Sequence, residues 1–192
     1  MSRNKSYDEN AVLERAMIVF WINGYEATSV RLLEKEMGIN QFSIYSSFTS
    51  KKKLFIESIR RYREHVKQNV YQTLLREDAG MKELEQYLYK AARKKKKPGL
   101  SRGCLVVNTA AELVSSDEEI AAEVNGYFIF IREMLRKVLQ TAVAKGEIAP
   151  DTDVEKQSAF FLGVMQGLSV ASKTTDTGQL NDFVSVALKQ IK

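Results

Sequence analysis

The residues best suited to chemistry lie between positions 28 and 51, and the chemistry that they suit is hydrogen bonding to nucleic acid. Hydroxyl and amide side chains can hold phosphates or read base edges, and a lysine can neutralise a phosphate. The candidate contacts are Thr28, Ser29, Gln41, Phe42, Ser43, Tyr45, Ser46, Ser47 and Lys51. Their spacing predicts that two short helices and the start of a third carry them.

These side chains divide into two roles. Thr28 and Ser29 come at the start of a predicted helix, where hydroxyls and free backbone amides can meet a phosphate, although either residue could instead cap that helix. Gln41 can pair with adenine in the major groove. The Phe42 ring can press on a thymine methyl group, or it can pack against helix 1 or a partner helix.

A glycine turn separates the two short helices. Gly38 can adopt the positive φ that ends the first helix, and Asn40 can cap the second. On the second helix Ile44 and Phe48 are four residues apart and share an inward face, which leaves its polar residues outside. Two short helices joined in this way predict a helix-turn-helix for a DNA groove.

The rest of the chain predicts an all-α fold of about nine helices. Apolar residues recur at helical spacing, and the two prolines of the 192 residues fall outside the periodic segments. We expect a three-helix DNA-binding domain over residues 1–50 and a larger helical effector-binding and dimerisation domain over residues 51–192. Helix 4 is predicted to continue to about Leu75, and helix 5 to Lys97. Asp8, Asp117 and Asp153 are the expected caps of helices 1, 7 and 8.

Composition narrows the class of protein. The single cysteine excludes an internal disulfide framework, and no apolar run could act as a secretory signal or membrane helix. We therefore expect a cytoplasmic protein without a membrane partner. The net charge is +5, and residues 51–100 carry 15 basic and 6 acidic groups. This distribution predicts that lysines and arginines beside the helix-turn-helix attract DNA phosphates.

The spacing of this N-terminal segment resembles the DNA-binding domain of the TetR family of transcription regulators. The positions that carry the resemblance are Ala16, Phe20, Gly24, Thr28, Ser29, Val30, Gly38, Ile39, Ile44, Tyr45, Phe48, Ser50, Lys51 and Leu54. The resemblance implies that Tyr45 and Lys51 contact phosphates. It further implies a homodimeric regulator, most simply a repressor on a palindromic double-stranded operator, whose regulatory domain accepts a small-molecule effector.

The family also implies that the last two long helices pair with a second copy. The GVMQG motif offers two glycines four apart, where another helix can approach closely, beside apolar side chains. The predicted dimerisation residues are Phe160, Phe161, Gly163, Val164, Gly167 and Leu168. Pairing through them would form a four-helix bundle across a two-fold axis.

Residues of the effector site are chosen from aromatic and amphipathic positions, which could equally be core. The candidates are Tyr62, Tyr87, Cys104, Asn108, Phe128 and Met165. Cys104 follows Arg102 and Gly103 at an expected helix start, a setting that favours the thiolate, and some relatives with a similar start look like sensors of electrophiles or oxidants. The alternative is a small buried residue.

Two other classes of function remain as alternatives. An enzyme could use the C-terminal helical domain, but no nucleophile and base arrangement, phosphate-binding glycine loop or carboxylate pair stands out. A non-specific architectural DNA protein would need more positive charge on the reading face. No cofactor is expected, and one histidine with one cysteine gives no multi-histidine or thiolate metal site.

Overall fold

In the computed structural model, residues 7–93, 102–113 and 117–191 are described. These ranges form nine α-helices and no strand, which confirms the predicted all-α fold. The helices are α1 (Glu9–Asn23), α2 (Val30–Met37), α3 (Gln41–Phe48), α4 (Lys51–Asn69), α5 (Met81–Ala92), α6 (Leu105–Leu113), α7 (Glu118–Ala144), α8 (Val154–Ala171) and α9 (Thr177–Lys189). Within the described ranges, every helix is too short or too polar to span a lipid bilayer.

Local signals set the N-terminal helices as predicted. The Asp8 carboxylate accepts a hydrogen bond from the Asn10 amide at 2.9 Å, and the Asn40 side chain accepts one from the Ser43 amide at 2.8 Å. Gly38 ends α2 with φ 73° and ψ 24°. This left-handed conformation costs other residues free energy, so the glycine allows the tight turn into α3.

A shared apolar core holds the first three helices on α4. The α1 helix packs against α4 and α2, and α3 packs against α2 and α4. The side chains that fill this core are Ala16, Met17, Phe20, Leu33, Met37, Ile44, Phe48, Leu54 and Phe55. Exposed polar faces of α2 and α3 are therefore presented from a rigid base.

The α4 helix ends earlier than predicted, at Asn69 and not near Leu75. The Tyr71 amide donates to the Val66 carbonyl at 2.8 Å, so the chain tightens into turns after Val70. The turns bury Tyr71, whose hydroxyl lies 3.0 Å from that of Tyr127 on α7. A long-range contact thus ends a helix whose local periodicity predicts continuation.

Two later helices begin at their predicted caps. Asp117 and Asp153 cap α7 and α8 as expected. The described part of α5 ends at Ala92, and its predicted end at Lys97 lies outside the described residues. The α7 helix packs against α4, α5, α6 and α8, while α9 packs against α5 and α8. The α4 helix therefore joins the N-terminal helices to the larger helical body.

Candidate nucleic-acid interface and regulatory cavity

The outer face of α3 carries most of the predicted DNA contacts. Gln41, Phe42 and Ser46 are exposed, while Ser43 and Tyr45 are partly buried. The Phe42 ring is 77% exposed, which excludes its packing against α1 within the chain. We call α2, α3 and Lys51 the reading head. Its outer face combines an amide, hydroxyls and one apolar ring, the groups that can meet base edges and phosphates.

Thr28 and Ser29 have different roles at the start of α2. The Ser29 hydroxyl is exposed and caps α2 by accepting from the Leu32 amide at 3.1 Å. Thr28 is buried, and its hydroxyl donates to the Gly24 carbonyl at 2.6 Å. A phosphate contact by the Thr28 side chain therefore does not fit the structure, because that side chain faces the core.

Tyr7 supports the reading head and is missing from the predicted site. Its hydroxyl donates to the Ser43 carbonyl at 3.2 Å and lies 2.8 Å from the Ser47 hydroxyl oxygen. Ser47 is thus already hydrogen-bonded within the chain. The available signal was an aromatic residue directly before the Asp8 cap, a position from which apolar side chains often pack back on a helix.

The three lysines at the start of α4 are not equivalent. The Lys51 ammonium nitrogen lies 4.2 Å from the centroid of the Tyr25 ring and has no carboxylate partner among the described residues. Lys52 Nζ lies 3.0 Å from an Asp117 carboxylate oxygen, and Lys53 pairs with Glu119. Much of the positive charge beside the reading head is therefore compensated by α7, which weakens the prediction that all these lysines attract phosphate.

A cavity of about 460 Å³ opens inside the larger helical body. Five of the six predicted effector residues line it, namely Tyr62, Tyr87, Cys104, Phe128 and Met165. Asn108 does not line it: the Asn108 side-chain nitrogen donates to the Arg102 carbonyl at 3.0 Å, and its oxygen accepts from Lys173. Asn108 thus holds the backbone beside the cavity. Tyr71 and Tyr127 also line it and were missed, since only the tertiary fold brings them there.

Four tyrosines form a cluster in the cavity wall. Burial raises the pKa of Tyr62, Tyr87 and Tyr127 well above the ordinary range, and it raises the pKa of Tyr71 to about 12. Their hydroxyls therefore stay neutral near pH 7 and can donate hydrogen bonds. The Cys104 thiol joins the cluster, because it donates to the Tyr127 hydroxyl oxygen at 3.6 Å.

The α6 helix is attached to the N-terminal helices at both of its ends. Before its start, the Gly103 carbonyl accepts from Trp21 Nε1 at 3.1 Å. Near its end, the Glu112 carboxylate accepts from the Tyr25 and Glu26 amides at 3.2 and 2.8 Å. We call these contacts the α6 bridge. A displacement of α6 would reach the loop that leads into the reading head.

The predicted dimerisation residues divide between two faces of α8. Phe161, Val164 and Leu168 are buried within the protomer, so these three cannot contribute area to a second copy. Phe160 and Gly163 are exposed, and Gly167 packs beside the Phe183 ring of α9. The outer apolar face of the two helices consists of Phe160, Val170, Phe183 and Val186. Within the described ranges no cluster of metal-ligating side chains occurs.

Two family profiles match the chain. The one described as "Bacterial regulatory proteins, tetR family" covers residues 12–57. The one described as "Tetracyclin repressor-like, C-terminal domain" covers residues 80–188, more than half of the chain. Together the two matches include the reading head and most of the residues that line the cavity.

Relatives of known sequence or structure are similar to this chain over most or all of its length. The uncharacterized HTH-type transcriptional regulator YezE of Bacillus subtilis (strain 168) is 27% identical over 190 residues, 98% of each chain. The HTH-type transcriptional repressor ComR of Escherichia coli (strain K12) is 28% identical over 172 residues, 89% of this chain and 82% of ComR. A cysteine mutant of the TetR family regulator CifR, complexed with 26 bp double-strand operator DNA, has TM-score 0.83 and 27% identity, with 100% of both chains covered.

The matched profiles and relatives are transcriptional regulators and not enzymes, as the sequence indicates. The helix-turn-helix geometry and the exposed polar face of α3 agree with that assignment. The chain belongs to the TetR family of DNA-binding transcriptional regulators.

Proposed function

We propose that the protein is a cytoplasmic homodimeric repressor, which occupies a palindromic operator and leaves it when a small molecule enters the cavity or Cys104 is modified. The observation that carries this proposal is the α6 bridge, because it joins the cavity wall through one helix to the loop that leads into the reading head. The relative ComR is a transcriptional repressor, which supports repression as the direction of regulation.

DNA contact is proposed for the exposed groups of the reading head. Gln41 would read a base, and Phe42 would press on a thymine methyl group. The groups that would hold phosphates are Ser29, Ser43, Tyr45, Ser46 and Lys51. Ser47 would take part only if its hydroxyl leaves that of Tyr7. The CifR complex with operator DNA supports this orientation, as the two chains are alike in fold and 27% identical.

Dimerisation is proposed through the outer apolar face of α8 and α9. Phe160, Val170, Phe183 and Val186 are exposed there, and Gly163 leaves room for a close approach by a second helix. A two-fold axis at this face would place two reading heads on one duplex. Successive major grooves require them to lie about 34–36 Å apart, or a multiple of that distance. Residues 1–50 and 51–192 are the proposed domains, with α4 in contact with both.

Release is proposed to begin at the cavity wall. Cys104 directly precedes α6, and its amide donates to the Ser169 hydroxyl oxygen on α8 at 2.7 Å. A ligand among the tyrosines, or an added group on the thiol, would push this end of α6. The α6 bridge would carry the shift to Tyr25 and Glu26, and the spacing of the reading heads would no longer fit the grooves.

Operator binding can be tested with fluorescence anisotropy on labelled duplexes from the protein's own promoter region. Gln41→Ala should relax the preference at one base-pair position by about 1–3 kcal/mol, because the amide no longer pairs with that base. Tyr45→Phe should weaken all sequences to a similar extent, and Gln68→Ala on α4 serves as the control. If random duplex binds as tightly as promoter DNA at matched salt, the proposal fails in favour of an architectural protein.

Modification of Cys104 needs a separate experiment. N-ethylmaleimide should lower operator affinity of the wild-type dimer and leave Cys104→Ser unaffected, since the chain has one cysteine. Complete alkylation, verified by mass spectrometry, without any change in operator affinity would remove the thiol from the proposed mechanism. The small-molecule route would then stand alone.

A further inference from the structure

The wall of the cavity carries charge of one sign only. Lys90, Arg93 and Arg102 line it, and none of the described lining residues is aspartate or glutamate. Chain composition does not explain this bias, because the protein has 24 acidic against 29 basic residues. Outside the cavity several cations are compensated, since Lys52, Arg60 and Arg61 each pair with a carboxylate.

Arg102 has donor capacity that the chain does not use. Its Nε atom is buried and has no hydrogen-bond partner among the residues that the structure describes. The guanidinium carbon lies 5.9 Å from the centroid of the Trp21 ring, another part of the cavity wall. A buried donor without a partner costs free energy, and an anionic acceptor satisfies it best.

The inner wall is aromatic and donates hydrogen bonds. Tyr62, Tyr71, Tyr87, Tyr127 and Phe128 line it, so a flat ring can stack or meet ring edges there. Because burial keeps the tyrosine hydroxyls protonated, they offer donors and no negative charge that would repel an anion. The cavity therefore has an aromatic interior, and its charged lining residues are all cations.

We propose that the ligand of this cavity is an amphipathic aromatic carboxylate, with its ring among the tyrosines and its carboxylate toward Lys90, Arg93 and Arg102. This inference rests on the proposed function, because it names the chemical class of the effector. Like-charge repulsion disfavours a cationic ligand, and a neutral ring would leave the Arg102 donor unsatisfied.

The proposed ligand class can be tested by isothermal titration calorimetry of the whole chain with three matched probes. The probes are 2-naphthoate, 2-naphthamide and 2-naphthylmethylammonium, which share one ring system and differ in charge. The carboxylate should bind about tenfold more tightly than the amide, since charge-assisted hydrogen bonds are roughly twice as strong as neutral ones, and the ammonium should bind more weakly still. Higher salt should weaken only the carboxylate.

Variants of the three cations identify which side chains cause the preference for the carboxylate. Lys90→Gln with Arg93→Gln, at exposed positions where folding should be unaffected, should lower the preference for 2-naphthoate over 2-naphthamide several-fold. Arg102→Gln should do the same, with folding verified by circular dichroism. Lys82→Gln, on α5 but outside the cavity wall, should leave the preference unchanged.

Three results would overturn the inference. If the acid and the amide bind equally tightly, the cavity does not select its ligand by negative charge. If nonanoate binds as tightly as 2-naphthoate, the cavity does not select for an aromatic ring. No heat of binding from any probe at millimolar concentration would remove the ligand class altogether. Operator binding is measured without these probes, so failure of the ligand inference leaves the proposed DNA-binding function standing. Failure of operator binding likewise leaves the ligand inference standing.

Discussion

Gly38 is the residue on which the geometry of the reading head depends most directly. Its φ of 73° lies in the left-handed region, so Gly38→Ala should destabilise the protein by about 1–2 kcal/mol. Gly126→Ala, inside α7 where an added Cβ meets nothing within 4 Å, should stabilise by about 0.5–1 kcal/mol. Urea unfolding measures both changes. A stabilising Gly38→Ala would contradict the assigned turn geometry.

Lys52 contributes to the acid dependence of the α4–α7 contact through Asp117. Its hydrogen bond is the main cause that holds the pKa of Asp117 below the ordinary 3.8. A lowered folded-state pKa gives stability that is present above pH 4 and is lost as pH falls through the folded value. Lys52→Met should therefore reduce stability at pH 7, and its difference from wild type should shrink below pH 3.8.

Urea midpoints from pH 2.5 to pH 7 measure that difference, with Lys82→Met on α5 as the matched control. The control should shift the midpoint little and with no dependence on pH. If Lys52→Met and wild type stay separated by a constant amount down to the lowest pH, the ion pair with Asp117 does not supply the stability assigned to it.

Single residues could be predicted from the sequence where the signal is local. The Asp8, Asn40, Asp117 and Asp153 caps depend on the few residues that follow them, and each was identified. It is harder to predict from the sequence which face of a helix points into the protomer. The apolar stripe of α8 is wide, so its periodicity does not tell which half faces the protomer, and Phe161 was assigned to the wrong side.

The α6 helix lines the cavity with Val107 and, through Glu112, holds the loop that leads into the reading head. Glu112→Ala removes the carboxylate that accepts from the Tyr25 and Glu26 amides. We expect amide hydrogen exchange at those two positions to accelerate, and stability to fall by about 1 kcal/mol, because hydrogen bonds to a charged acceptor are lost at an exposed site.

Glu77→Ala, in the turns that follow α4, removes a carboxylate of the same kind away from this contact and should leave the exchange of both amides unchanged. The same Glu112 variant should also bind operator DNA without responding to whatever occupies the cavity. Unchanged protection of Tyr25 and Glu26 would show that the α6 bridge is not formed in solution.

Element boundaries follow the same division between local and long-range causes. Glycine turns and aspartate caps predict where α2, α3, α7 and α8 begin or end. The end of α4 is followed by the buried Tyr71, whose hydroxyl meets that of Tyr127, 56 residues away, and no local pattern contains this contact. The α6 bridge was likewise beyond prediction, since Glu112 and Glu26 meet only after folding.

At the scale of the molecule, the proposed dimer gives the last prediction. Val186 is 58% exposed on α9, so Val186→Asp should change protomer stability by no more than about 0.5 kcal/mol. A charge buried without a partner at the two-fold interface should dissociate the dimer, and loss of the linked second reading head should weaken operator binding about a hundredfold. Ile129→Asp, at a position 61% exposed on α7, is the control and should stay dimeric. Analytical ultracentrifugation with operator titrations distinguishes the outcomes, and a Val186→Asp protein that sediments as a dimer would move the interface away from α8 and α9.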